Sequence, residues 1–184
     1  KTGSQKVDII AHSMGGLVAR NYISDPVKAS KIRKLFTLGT PHLGSVDFLK
    51  NLRYGGCITK PGILTQLANN NICLGLVPSE GKDVIQNMIS GFELAPSQKY
   101  FEFYSGENAD HPYPYKTETG SLNYNQIKSI LTEFGHNTSL FDPSETFHSL
   151  DNNFSNTNGV DITVIAGSGQ PTLGQIIEEK RTSL

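Results

Sequence analysis

Residues 7 to 23, Val-Asp-Ile-Ile-Ala-His-Ser-Met-Gly-Gly-Leu-Val-Ala-Arg-Asn-Tyr-Ile, join an apolar strand to an amphipathic helix through a single serine. Val7, Ile9 and Ile10 form the strand run, Met14, Leu17, Val18 and Tyr22 recur at helical spacing, and Asp25-Pro26 stops the helix. A turn this sharp strains the backbone at the serine and crowds the residues two before and two after it, so Ala11 and Gly15 have to be small. Ser13 then stands clear of the sheet as a candidate nucleophile. Being first in the helix, Met14 points its free N–H, with the positive end of the dipole, toward an anion forming on a bound carbonyl. The plainer alternative is a Gly-rich connection with an ordinary capping serine.

The rest of the chain reads as α/β. A second strand runs from Ile32 to Leu38 and ends in Gly39-Thr40-Pro41-His42, and a third covers Asp161 to Ala166 before Gly167-Ser168-Gly169. Both are nearly continuous apolar runs, as parallel strands buried on two faces should be. The span from 43 to 158 is far too long for a simple crossover and reads as an inserted cap or lid. This predicts an elbow-bearing core part at 1–42, a mainly helical insertion at 43–158, and a core strand with a following helix from Pro171-Thr172 at 159–184. Within the insertion, Tyr124 to Phe134 is the clearest helix, with Ile127, Ile130, Leu131 and Phe134 on one stripe and Gly135 as its stop. Another follows Asp142-Pro143-Ser144 and carries Phe147 and Leu150 inward, while Ile63 to Val77 fits a mobile lid or a packed helix equally well.

Ala-His-Ser-Met-Gly-Gly-Leu-Val-Ala-Arg at 11–20 and Lys-Leu-Phe-Thr-Leu-Gly-Thr-Pro-His-Leu-Gly-Ser at 34–45 resemble α/β-hydrolase lipases. Glu93 to Phe101 and Val160 to Thr172 are similar to segments of the lecithin:cholesterol acyltransferase-like branch. The resemblance implies a partial α/β-hydrolase fold and a chain that is part of a longer protein, since Lys1-Thr2-Gly3 reads as the end of a helix and the nucleophile strand begins at once. In that fold the order is Ser, then Asp or Glu, then His. No Asp follows Ala166 and no His follows His148, so both partners are expected beyond residue 184, the Asp in a Gly-Asp-Gly-Thr-like setting. Residues 1–184 alone are accordingly expected to be inactive.

The remaining features narrow the function. A net charge of −1 carries no nucleic-acid footprint, and no apolar run approaches the roughly 20 residues that span a bilayer. Cys57 and Cys73 could close a disulfide, worth roughly 3 kcal/mol in a secreted protein, or stay as thiols in a reducing compartment; two cysteines leave the location open, with an extracytoplasmic setting favoured. His12, His42 and Leu43 are the candidate substrate-contact residues: His12 belongs to the elbow and points away from Ser13, and His42 and Leu43 lie at the end of the neighbouring strand. His111 falls in a Pro/Tyr-rich loop, and His136 follows a helix C-terminus, where the dipole favours it. Glu145 and His148 share a helix face but lack further ligands, so no metal or other cofactor is expected. Glu178 and Glu179 read as solvated.

These residues predict a serine hydrolase for carboxylic esters of lipids: a lipase or phospholipase if water takes the acyl group, an O-acyltransferase if an alcohol does. The expected partner is a hydrophobic ester, with transient contact to a membrane or lipoprotein surface. The alternatives are a small-ester esterase and a non-catalytic hydrolase-fold module that binds lipid or protein.

Overall fold

The computed structural model describes residues 3–55, 78–103, 113–151, 156–169 and 171–179. It is an α/β protein with a parallel sheet. The chain forms two compact units, residues 1–43 with 146–172 and residues 44–145 with 173–184.

The first unit holds a three-stranded parallel sheet, β1 (Val7–His12), β2 (Ile32–Leu38) and β5 (Asp161–Ile165), with β2 in the middle. In register, Ala11 sits beside Thr37 and Thr37 beside Val164. Helix α1 (Met14–Ser24) follows the first strand and α2 (Pro26–Ala29) follows at once. The break between them is built by Asp25, whose carboxylate accepts from the N–H groups of Val27 and Lys28 while Pro26 opens the new helix. Asn158 donates its side-chain amide to the carbonyls of Ile23 and Ser24, so the last orphan acceptors of α1 are satisfied from far along the chain. The core is Ala11, Ala19, Ile23, Ala29, Ile32, Leu35 and Val160.

Two expectations fail in this unit. The strands are not buried on both faces: Ile9, Leu35 and Ile162 face the core, but Ile10 is 75% exposed and Val164 and Ile165 are also open. Helix α1 likewise buries Gly16, Leu17, Ala19, Arg20 and Ile23, and leaves Met14, Val18 and Tyr22 exposed. The stripe read as the inner face is rotated because Arg20, a charged residue, lies on the buried side.

The second unit is mainly helical, with α3 (Val46–Tyr54), α4 (Pro78–Ile85), α5 (Ile89–Leu94), α6 (Gln98–Phe103) and α7 (Tyr124–Glu133). A small sheet joins β3 (Tyr115–Thr117) to β4 (Gly120–Ser121) and β6 (Ile176–Ile177). α7 begins where the side chain of Asn123 accepts from the Gln126 N–H and Gln126 returns the bond, and it ends before Gly135 at φ 76°. Ile127 and Leu131 reach the core as expected, but Phe134 is exposed and carries the Arg53 guanidinium 3.5 Å from its ring centroid. The core centres on edge-on aromatic pairs, Phe92–Phe141 at 5.1 Å, Phe101–Tyr124 at 5.6 Å and Tyr124–Phe141 at 5.8 Å.

Residues 146–151, at the end of α8 (Phe141–Asp151), group with the first unit, where Asp151 pairs with Arg20. No helix follows Pro171 among the described residues: Ile176 pairs with Tyr115 in a strand of the second unit. Glu178 is not simply solvated: it accepts from the Tyr54 hydroxyl and forms a 2.9 Å ion pair with Arg53. Leu150 is exposed, and α8 turns Phe141, Ser144, His148 and Asp151 inward. Cys57, Cys73, His111 and the Ile63–Val77 segment lie outside the described residues.

The His136 imidazole is 5% exposed and makes no hydrogen bond through either ring nitrogen among the described residues. Burial, with the charges of Lys82 and Arg53, pushes its pKa down from 6.5 to about 4. The unfolded chain therefore takes up a proton that the folded one refuses, so stability should fall as pH drops from about 6.5 to about 4 and then level off. Urea midpoints measured across that range should show the loss, and His136→Phe should flatten it.

Candidate active site

The elbow is built from β1, one residue and α1. Ser13 is at φ 53°, ψ −131°, a region that costs a non-glycine residue about 1–3 kcal/mol. Its N–H donates to the Leu38 carbonyl at 2.9 Å, and its own carbonyl accepts from the Gly16 N–H at 3.0 Å. The side chain makes no capping bond to α1, unlike an ordinary N-cap serine, which sits in the β region and accepts from the helix N–H groups. The hydroxyl is thus uncommitted to the helix, and half-buried. Met14 begins α1, so its N–H lies among those with no intrahelical acceptor.

The crowding falls one residue later than expected. A Cβ built on Gly15 would sit 4.0 Å from Ala11 Cβ, an ordinary contact, but one built on Gly16 would lie 2.0 Å from Thr40 Oγ1. Thr40, in the loop after β2, packs directly on the first turn of α1.

That loop is tied down by a buried polar chain. Arg20 and Asp151 are each 2% exposed, and Arg20 Nε donates to Asp151 Oδ1 at 3.0 Å. The guanidinium also donates to the carbonyls of Leu150 and Asn156 at 2.6 and 3.4 Å, placing a cation on the negative end of α8. The other Asp151 oxygen lies 2.6 Å from His42 Nδ1, and His42 Nε2 lies 3.1 Å from the hydroxyl of fully buried Thr37. A carboxylate can only accept, so His42 Nδ1 carries a proton directed at Asp151.

The sequence-derived candidates are thereby sorted. Ser13 and Met14 share the elbow, His12 ends β1 with its side chain exposed, and Leu43 is half-buried. His42 is mostly buried between Asp151 and Thr37. Glu145 accepts from the Gln98 N–H at the start of α6, and no cluster of three metal-ligating side chains occurs among the described residues. Arg20, Thr37 and Asp151 were missed. One signal was readable: an arginine three residues after Leu17 and three before Ile23 occupies a core position, and a buried charge requires a counter-charge.

Residues 1–51 match the PGAP1-like alpha/beta domain family, which is of the α/β-hydrolase type. Among solved structures, the chain is similar to one described as the crystal structure of the Tle4–Tli4 complex, at 19% identity and a TM-score of 0.45. The similarity covers 79% of this chain and 33% of that one, so the chain spans about a third of that structure's length. Neither match singles out the lecithin:cholesterol acyltransferase-like branch.

The geometry separates the two glycines. Gly16→Ala should destabilise the protein by about 1–3 kcal/mol through overpacking against Thr40, whereas Gly15→Ala should shift the thermal midpoint little. Ser13→Gly should raise the midpoint, because relief of the positive φ outweighs the entropy of a glycine, a net gain of about 1 kcal/mol.

Proposed function

We propose that this chain carries the nucleophile of a serine hydrolase for hydrophobic carboxylic esters. The observation behind this reading is the strained serine: a positive φ maintained at a residue whose hydroxyl caps nothing. The family match over the same residues supports it.

On this reading Ser13 Oγ attacks the ester carbonyl carbon, the oxygen of the tetrahedral intermediate turns toward the Met14 N–H, and the alcohol leaves with the proton taken from Ser13. Water then releases the acid, or a second alcohol takes the acyl group and gives a new ester. Nε2 of His42 is engaged by Thr37, and His42 is not the proposed base for Ser13. His12 and Leu43 are the proposed substrate-wall residues, and the substrate is a lipid ester presented at a membrane or lipoprotein surface. An acyltransferase of the lecithin:cholesterol acyltransferase-like branch is the narrower form of the same proposal.

In the full-length protein, Ser13→Ala should keep the fold and lower ester turnover by about 10³-fold or more. It should also abolish labelling by a fluorophosphonate probe; labelling or turnover at wild-type levels would remove Ser13 from the mechanism. A p-nitrophenyl ester series should show kcat/KM rising with acyl length, whereas a preference for acetate would mark a small-ester esterase.

A further inference from the structure

We infer that Arg20, Asp151 and His42 are positioning residues for the Ser13 elbow. This rests on the proposed role of Ser13. The chain of contacts reaches the elbow by two routes. His42 Nε2 engages the Thr37 hydroxyl, and Thr37 precedes Leu38, whose carbonyl accepts the Ser13 N–H at 2.9 Å. His42 also closes the loop from Gly39, whose N–H donates to the Ile165 carbonyl at 2.9 Å; this loop sets Thr40 on Gly16. Both routes end on the residues that hold the serine in its strained turn. A strained conformation persists only where its surroundings over-determine it, and here the surroundings are the C-terminal end of β2 and the loop that follows it.

The polarity of the chain suits that task. Arg20 neutralises Asp151 and fixes its carboxylate, so Asp151 presents one oxygen in a set direction to His42 Nδ1. The imidazole bridges a helix end and a strand. No proton leaves the chain and no bond to substrate is involved. Its effect is on where Ser13 Oγ points.

The test uses the full-length protein and His42 variants. His42→Asn can keep the donor toward Asp151, while His42→Phe keeps bulk and loses it. A small fluorophosphonate reports Ser13 reactivity apart from lipid binding, and a short-chain p-nitrophenyl ester separates kcat from KM. His42→Phe should lower the labelling rate and kcat by about 10- to 100-fold with KM little changed, the size expected of a displacement near 1 Å. His42→Asn should recover most of the loss. Wild-type labelling and kcat in a folded His42→Phe protein would overturn the inference, as would an equal loss in His42→Asn. If His42→Phe does not fold, Thr37→Val decides: a fall in labelling rate of about threefold or more supports positioning, and an unchanged rate overturns it. Ser13→Ala, run alongside, keeps the two proposals apart, since turnover or labelling surviving there sinks the nucleophile and not the polar chain.

Discussion

The backbone at Ser13 is the constraint on which the first unit is arranged. A non-glycine residue at φ 53° relaxes unless both flanks are held, and both are. Upstream, β1 is locked into register with β2; downstream, the Gly16 N–H closes on the Ser13 carbonyl and the bare Cα of Gly16 admits Thr40. The hydrogen bond from the Ser13 N–H to Leu38 extends the β1–β2 pairing by one residue into the turn itself. Strand, turn and helix are joined by these contacts, and a serine whose hydroxyl does not cap the helix stands at the turn.

Behind that turn lies the buried charge pair of Arg20 and Asp151. Desolvating Arg20 and Asp151 is costly, and a well-packed apolar pair would hold a core as well, but losing one partner alone typically costs about 3–5 kcal/mol. The arrangement offsets its own penalty with further acceptors, the Leu150 and Asn156 carbonyls, and a further donor, His42. Such a chain ties elements far apart in sequence in a single geometry, whereas apolar contacts permit sliding. The second unit solves a different problem, an aromatic core of edge-on rings with short helices around it and a three-strand patch closed by β6.

What the sequence determined is local and steric. The strand–serine–helix junction, the Asp25-Pro26 break, the second strand at Ile32–Leu38 and the helix capped by Asn123 and stopped by Gly135 each follow from residues within one or two turns of one another. The tertiary structure decided what depends on distant partners: which face of α1 is buried, through Asp151; that residues 176–177 are a strand, through Tyr115; and that His42 joins a polar chain, through Thr37 and Asp151. Hydrophobic period locates an amphipathic stripe only when its buried residues are apolar, and here Arg20 occupies one of those places. A buried arginine announces that a carboxylate must exist, but the chain's order contains no measure of which of its acids folds back to meet it.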